Sequence, residues 1–208
     1  VGAGFPCQAW SVAGKQLGDK DERGMLFWTT LEITAHILKH NPSAKFLMEN
    51  VKMKKDFEQY ITHHTEQTLG KVEKTLINSA LVSAQNRQRY YWTNFKIEQP
   101  EDKGILLRDI LEGGFNDREK SQTILATIYK ENAKSMVKRN KMGLCVSDIN
   151  KTEYIENGVH YRKLTPIECE RLQTFPDNWT DCISNTQRYK ALGNAWTIDV
   201  IAHILKCI

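Results

Sequence analysis

The order of apolar and polar residues predicts alternating strands and helices in the first part of the chain. Residues 1–5 are apolar enough for the end of a buried strand, and the Gly-Phe-Pro-Cys sequence at residues 4–7 then turns the chain into a loop. Residues 25–40 carry apolar side chains at helical spacing. The Asn41-Pro42 pair that follows prevents this helix from continuing.

The alternation continues beyond this helix. Residues 44–51, 76–84 and 90–95 have the short apolar runs of strands, and residues 57–69 are spaced as a helix that Gly70 ends. This succession is typical of a parallel sheet covered by helices. Ligands bind at the carboxyl ends of the strands in such sheets, and both Cys7 and Glu49 stand at or just after the end of a predicted strand.

Regular periodicity disappears over residues 96–158, which we predict to form a separate small lobe. Within this lobe, residues 118–142 carry seven basic residues against two glutamates, whereas the net charge of the whole chain is only +4. Such a charge run is either a solvated helical face or a surface that contacts phosphates. The basic residues are Arg118, Lys120, Lys130, Lys134, Lys138, Arg139 and Lys141.

Two helices are predicted near the C-terminus. Thr165-Pro166-Ile167-Glu168 combines an N-cap, a proline at the first helical position and the glutamate of a capping box, so we expect a structural helix there. Residues 197–208 repeat apolar side chains at helical spacing, which predicts a last amphipathic helix.

Composition narrows the class of protein. No segment approaches the run of about 18 apolar residues that a membrane span needs, and no basic region precedes an apolar run at the start, so we expect an intracellular, cytoplasmic protein without a membrane partner. The five cysteines are odd in number and lack the spacing of a zinc site, which predicts neither a disulfide framework nor a metal site. Because the first residue is Val1 and not Met, we expect the natural reading frame to begin further upstream.

Short motifs carry the functional signal through their order. A lone cysteine is more often a small buried hydrophobic residue than a nucleophile. Here, however, five motifs follow one another along nearly the whole chain, and together they resemble the DNA (cytosine-5) methyltransferase family. They are Gly4-Phe5-Pro6-Cys7-Gln8, Glu49-Asn50-Val51, Gln85-Asn86-Arg87-Gln88-Arg89, the segment of residues 162–176, and Gly193-Asn194.

This resemblance implies a fold and a division of the chain. The expected fold is α/β, a truncated Rossmann-like sheet of the type found in S-adenosylmethionine-dependent methyltransferases, with a small target-recognition lobe. Residues 1–95 would belong to the catalytic domain, residues 96–158 would be the target-recognition region, and residues 159–208 would return to the catalytic domain.

The resemblance also assigns the catalytic residues. Carbon 5 of cytosine is a poor nucleophile until a thiolate adds to carbon 6, and by resemblance Cys7 supplies this thiolate. Glu49 would then be the proton donor for ring nitrogen 3. Arg89, with Arg87 beside it, would hold the carbonyl oxygen of the base by charge-assisted hydrogen bonds.

Double-stranded DNA is the partner that the resemblance implies, and the target base would have to be flipped out of the helix. Gln8, Ser11 and Arg23 lie on a stretch similar to the mobile loop with which the family closes over DNA. Residues 121–127, which include Thr123, are similar to a segment that meets the DNA backbone. In the basic run, Lys138, Arg139 and Lys141 are the candidates for phosphate contacts.

The implied cofactor is S-adenosyl-L-methionine, but most of its expected site has no counterpart in the sequence. Pro6, Leu26 and Asn194 match positions that touch the cofactor in the family. The Gly-rich turn and the acidic residues that the family places before Pro-Cys do not occur. We therefore expect this chain to be inactive alone, with the missing N-terminal motifs on a longer parent chain or on a separate chain.

Two other functions stay open at this point. The chain could be a DNA-binding fragment or subunit without catalysis, although the presence of Cys7, Glu49 and Arg89 favours an enzyme. It could also be an RNA (tRNA) cytosine-5 methyltransferase, but the Cys-Phe-Thr signature of that branch is absent. A prokaryotic or phage-type host, with a place in restriction-modification, is the expected setting for the DNA enzyme.

Overall fold

A computed structural model describes residues 1–7, 9–10, 22 and 24–208. The chain forms two compact units. The first unit contains Val1–Ile77, Gln88–Gln99 and Ile204–Ile208, and the second unit contains Asn78–Arg87 and Pro100–His203.

The first unit is built on a mixed four-stranded sheet. Its strands are β1 (Gly2–Gly4), β2 (Leu47–Val51), β3 (Glu73–Asn78) and β4 (Gln88–Thr93), in the order β1-β2-β4-β3. The last residue of β3, Asn78, belongs to the second unit. Strand β1 runs parallel to β2, whereas β4 runs antiparallel to β2. Two helices accompany the sheet and pack against each other, α1 (Leu26–His40) and α2 (Lys55–Leu69).

Local sequence explains where these helices end. Helix α1 stops before Pro42, and α2 ends at Gly70, whose φ of 84° is a conformation that glycine adopts without strain. Both predicted helices are thus confirmed. The buried core between helices and sheet is rich in aromatic side chains, which include Phe5, Trp10, Phe27, Phe46 and Trp92.

Three predictions about the strands were wrong in part. Strand β1 is present but largely exposed, because β2 is its only partner strand among the described residues. Residues 79–81 form a 3-10 turn instead of continuing a strand, since the side chain of Asn78 accepts a hydrogen bond from the Ala80 amide and caps the turn. The sheet is mixed and not fully parallel, because β4 enters in the opposite direction.

The second unit combines short helices with a three-stranded antiparallel sheet. The sheet has the order β5-β7-β6, made of β5 (Cys145–Ser147), β6 (Tyr154–Glu156) and β7 (Val159–Lys163). The helices are α3 (Leu107–Ile110), α4 (Ala133–Lys138), α5 (Pro166–Leu172), α6 (Asn185–Asn194) and α7 (Ile198–Leu205), whose last two residues belong to the first unit.

The predicted cap of α5 is confirmed. Thr165 accepts a hydrogen bond from the Glu168 amide, and the Glu168 carboxylate accepts one from the Thr165 amide at 2.8 Å. The predicted C-terminal helix is confirmed as α7. The mixed α/β class is confirmed as well.

The compact units do not have the same limits as the predicted functional regions 1–95, 96–158 and 159–208, which stay predictions. Residues 159–203 share a hydrophobic core with residues 100–158, and this core holds Leu164, Cys169 and Leu172 together with Ile124 and Met136.

In the described part of the chain, no helix is long and apolar enough to cross a membrane. No group of three or more metal-ligating side chains occurs there either.

Candidate active site

Cys7 lies in a tight turn directly after strand β1. The Trp10 amide donates a hydrogen bond to the Cys7 carbonyl oxygen at 3.0 Å, which closes the turn. Phe5 and Trp10, on either side of the cysteine, are buried in the aromatic core of the first unit. The thiol itself is half-buried. Its backbone is therefore anchored at both ends, and Cys7 is not fully buried among the described residues.

Glu49 is brought next to this turn by the pairing of two strands. Gly4 of β1 is the parallel partner of Glu49 in β2. Asn50, fully buried beside Glu49, donates from its side-chain amide to the Phe5 carbonyl oxygen at 3.1 Å. Cys7 follows Gly4 by three residues, a span of at most about 10 Å. The turn with the thiol and the strand with the carboxyl group are thus fastened together.

Arg89 reaches Glu49 from the neighbouring antiparallel strand. Tyr91 stands opposite Glu49 in the register of β2 and β4, and Arg89, two residues away, therefore points to the same face. Arg89 Nε lies 2.9 Å from Glu49 Oε1, and each side chain is 12% exposed. The arginine also donates from Nη1 to the Gln88 carbonyl oxygen at 2.9 Å.

This arrangement leaves Arg89 with donors to spare. A guanidinium group has five N–H donors, and Arg89 uses two of them on groups in the described part of the chain. The remaining donors can bind a ligand oxygen next to the Glu49 carboxyl group. Because both side chains are mostly shielded from water, such hydrogen bonds are stronger than they would be on the surface.

Arg87 has different surroundings. It belongs to the second unit, is buried, and donates to the carbonyl oxygens of Ile124 at 3.1 Å, Gly193 at 3.3 Å and Ala195 at 2.8 Å. These bonds fasten two distant segments of that unit. The structure therefore gives Arg87 a structural task, and its predicted contact with the base stays a prediction.

Gly193, next to Asn194 in α6, allows that helix to approach the backbone of Leu125 and Ala126 closely. A Cβ atom on Gly193 would lie 2.3 Å from the Ala126 nitrogen and 2.3 Å from the Leu125 carbonyl carbon. No other residue type fits there without displacing the backbone. Asn194 was predicted as a cofactor position and Gly193 only as part of the motif, so packing by the glycine is a role that the sequence did not indicate.

The cysteines other than Cys7 are poorer candidates for a nucleophile. Burial, with a smaller contribution from Glu153, raises the pKa of the Cys145 thiol to about 11. Burial likewise raises the pKa of the Cys169 thiol far above its ordinary value. Both thiols are therefore protonated at neutral pH and weakly nucleophilic. Cys182 is exposed and Cys207 half-buried, and neither lies in one of the motifs of the resemblance.

The predicted cofactor residues are distributed over both units. Pro6 is half-buried next to Cys7, and Leu26, at the start of α1, is 46% exposed. Asn194 is exposed at the end of α6 in the second unit. The two apolar side chains of the first unit are open enough to pack against a cofactor, so they fit as its apolar contacts. They offer no group that could bind its ribose or its charged end.

The predicted DNA-binding residues also differ in their surroundings. Gln8, Ser11 and Arg23 lie outside the described residues. Lys138 and Arg139 are exposed at the end of α4, as a phosphate-contacting surface requires. Two others are engaged within the second unit. The Lys141 ammonium forms an ion pair with Glu131, and the Thr123 hydroxyl donates to the Asn86 carbonyl oxygen at 2.5 Å.

Comparison with known proteins assigns the chain to a family. A family profile described as "C-5 cytosine-specific DNA methylase" matches residues 1–138 and residues 54–208. The chain therefore belongs to the family of C-5 cytosine-specific DNA methylases. The resemblance predicted from the motifs is confirmed.

Curated relatives agree with this assignment. The Type II methyltransferase M1.ScrFI of Lactococcus lactis subsp. cremoris is 32% identical over 241 residues, which cover 95% of this chain and 59% of that protein. The Type II methyltransferase M.NlaX of Neisseria lactamica is 30% identical, with 98% of this chain and 74% of the relative covered. The chain thus spans about three fifths to three quarters of the length of these relatives.

Solved structures support the fold. The methyltransferase EhMeth of Entamoeba histolytica has a TM-score of 0.65 at 15% identity, over 99% of this chain and 75% of that chain. A mutant DNMT2 of Spodoptera frugiperda has a TM-score of 0.61 at 20% identity, over 99% of this chain and 78% of that chain. At these identities the likeness concerns the fold alone.

Proposed function

We propose that the protein to which this chain belongs transfers a methyl group from S-adenosyl-L-methionine to carbon 5 of a cytosine in DNA, with Cys7 as the nucleophile. One observation carries the proposal. The turn that presents the Cys7 thiol is fastened to the strand of Glu49, whose carboxyl group pairs with Arg89 at 2.9 Å. A nucleophile, a proton-transfer group and a donor for a carbonyl oxygen thus belong to one unit.

The role of each residue follows from the chemistry of the ring. The Cys7 sulfur forms a bond to carbon 6, and the electron pair of the 5,6 double bond moves into the ring towards carbon 5 and nitrogen 3. Glu49 holds a proton at nitrogen 3 while charge builds up there. The remaining N–H donors of Arg89 bind the carbonyl oxygen of the base and fix its orientation.

Bound S-adenosyl-L-methionine supplies the methyl group that carbon 5 takes up, and Pro6 and Leu26 would pack against it. Carbon 5 then gives its proton to water, the electron pair of that C–H bond restores the 5,6 double bond, and the bond from carbon 6 to sulfur breaks with its electron pair going to Cys7. The thiolate is regenerated unchanged. None of these steps is possible inside a stacked duplex, so the proposal includes a flipped-out base.

We further propose that the rest of the cofactor site comes from polypeptide beyond these 208 residues. The Gly-rich turn of the family has no counterpart in the sequence. Among the described residues, β1 has a partner strand on one side only, so its other edge can accept a strand. This segment would be part of a longer chain or a separate chain. The Type II relatives support a place in a restriction-modification system.

The direct test uses protein from the complete reading frame, with DNA and tRNA as alternative substrates. We expect 5-methylcytosine in DNA and none in tRNA, and a covalent adduct with DNA that contains 5-fluorocytosine, because fluorine cannot leave carbon 5 as a proton. Cys182→Ala, which removes an exposed cysteine, is the matched control and should form the adduct normally. Methylation of tRNA alone, or an adduct that persists in Cys7→Ala, would refute the proposal.

Calorimetric titration of the 208-residue chain with S-adenosyl-L-methionine tests the second part. Each missing hydrogen bond costs about 0.5 to 1.5 kcal/mol, so the loss of several weakens binding by orders of magnitude. We expect no measurable binding until the upstream segment is added. Micromolar binding by the chain alone would show that its own residues complete the pocket.

A further inference from the structure

A depression of about 400 Å³ lies in the surface of the second unit, and its lining includes none of the proposed catalytic residues. Its wall contains three side-chain amides, from Asn86, Gln122 and Asn140, together with charged groups of opposite sign on Arg118 and Glu119. All five residues belong to the second unit and all are exposed. We call these five residues the amide depression.

Three of these side chains are available to a ligand. The amide groups of Gln122 and Asn140 make no hydrogen bond within the described part of the chain. Among the described residues, the Arg118 guanidinium group forms an ion pair only with its neighbour Asp117, at 3.7 Å, and both side chains are well exposed. An exposed pair of this kind contributes little, so the guanidinium group can exchange it for a better partner.

The backbone beneath these side chains is held firmly. Ser121, beside Gln122, donates its amide to the Ala84 carbonyl oxygen at 2.7 Å and accepts a hydrogen bond from the Asn86 amide at 2.9 Å. A Cβ atom on Gly143 would lie 2.9 Å from the Gln122 nitrogen, so that the two segments touch. The free amides therefore extend from a fixed frame, as selective recognition requires.

Lys120 also lines the depression, but its ammonium group binds backbone carbonyl oxygens of the second unit. The Lys120 ammonium donates to the carbonyl oxygens of Ala80 at 2.7 Å, Ser83 at 3.1 Å and Ile105 at 2.5 Å. It has no donor left for a ligand, since an ammonium group has three. Arg118 is then the cation that remains for a ligand in this depression.

The chemistry of the depression fits a nucleobase edge better than a phosphate. A phosphate needs donors only, and the Glu119 carboxylate would repel it. A base edge presents donors and acceptors side by side. Arginine pairs with guanine, Asn and Gln pair with adenine, and a carboxylate accepts from the cytosine amino group. The amide depression offers each of these types.

We propose that the amide depression reads base edges of the bound DNA, with Arg118, Gln122 and Asn140 as residues that determine the target sequence. This inference rests on the proposed methyl transfer to DNA and names three residues, within the predicted target-recognition region of residues 96–158, that select the site. Lys138 and Arg139, by contrast, would contact the backbone without regard to sequence.

The test compares the sequence context of methylation in a random DNA library. Protein from the complete reading frame methylates the library, and bisulfite sequencing records the bases around each 5-methylcytosine. The variants are Arg118→Ala, Gln122→Ala and Asn140→Gly; the glycine preserves the φ of 53° at position 140. Lys138→Ala, exposed and outside the depression, is the matched control. Thermal melting checks that every variant is folded.

Each reading residue should specify one position of the target. We expect the preference at that position to fall by roughly 5- to 100-fold in at least one variant, while methylation of other contexts continues. Lys138→Ala should lower methylation to the same extent in all sequence contexts. An unchanged preference in all three variants, or a uniform loss in all contexts, would overturn the assignment.

Two arms separate this inference from the function on which it rests. If the wild-type protein leaves no 5-methylcytosine in any DNA, the proposed function fails and takes the inference with it. If it methylates DNA and the variants keep the wild-type preference, only the inference fails.

Discussion

Two arginine–carboxylate groups, one in each unit, show how the same chemistry serves different ends. In the first unit, Arg89 and Glu49 are each 12% exposed, and Arg89 keeps donors for a ligand. In the second unit, Arg162 is 2% exposed and bonds to Asp148 and Glu168, which are 5% and 0% exposed.

Arg162 has no donor left. Its five N–H groups bond to Asp148 at 2.8 Å, to both oxygens of Glu168 at 2.8 Å, and to the carbonyl oxygens of Gly113 at 2.7 Å and Lys163 at 3.1 Å. Because every N–H donor of Arg162 is used, the Arg162 group has a structural role. Arg89 has N–H donors without a partner among the described residues, so the Arg89–Glu49 group is a candidate site. Residue type alone does not distinguish them.

Cys7→Ala is expected to have the largest effect, and to affect the function of the first unit alone. This change should abolish methyl transfer by the complete protein, because it removes the thiol that adds to carbon 6, and it should leave DNA binding and the second unit unaffected. Rates from radiolabelled cofactor and binding by gel shift measure the two effects. Residual turnover above that of a sample without enzyme would contradict the assignment.

Glu49→Gln should come next in magnitude. The amide keeps the shape of the side chain and cannot transfer a proton in the same way, so methyl transfer should slow by about 10²- to 10⁴-fold. Single-turnover kinetics measure the rate, and thermal melting should show little change. Glu66→Gln, on an exposed position of α2, provides the matched control. A near wild-type rate would make Glu49 a structural partner of Arg89.

Arg162→Met, in contrast to Glu49→Gln, should lower the stability of the protein. It leaves two buried carboxylates without their cation, which costs about 3 to 5 kcal/mol of stability in the second unit. Hydrogen exchange should therefore accelerate in β7 and α5 more than in β2. Arg139→Met, at an exposed position, should change stability by no more than about 0.5 kcal/mol. Equal protection of β7 in wild type and Arg162→Met would show that the buried group is dispensable.

Acid should weaken the second unit through the same group. The hydrogen bond from Arg162 holds the pKa of Asp148 below its ordinary value. A folded-state pKa below the unfolded one gives stability that is present above about pH 4 and is lost as the pH falls through the lower folded value. Denaturant midpoints at pH 6 and pH 3 measure this loss. Asp148→Asn should show a shallower pH dependence, and an identical dependence would exclude Asp148 as a contributor.

The smallest effect is expected on the basic surface. Replacing Lys138 and Arg139 by alanine should weaken binding to all DNA sequences alike and reduce the salt slope by about 2, close to 0.9 for each lost phosphate contact. Lys141→Ala should change the slope little, because Glu131 already pairs with that lysine. A slope that stays the same in the double variant would make the charge run a solvated face.

Local signals in the sequence determined the elements whose causes are local. Apolar spacing and the proline after Asn41 fixed α1, and the Thr165-Pro166 cap fixed the start of α5, because a helix forms and ends through groups within a few residues of each other. The order of the motifs also determined the family. These features need no knowledge of distant neighbours.

Tertiary structure decided which of the motif residues are open to a ligand. Arg87 and Arg89 are two residues apart and equally basic, yet the first is buried on three carbonyl oxygens and the second pairs with Glu49. The direction of β4 and the close contact at Gly193 were likewise decided by distant segments. The physical reason is that burial and hydrogen-bond completion depend on groups far away in sequence, which no local pattern records.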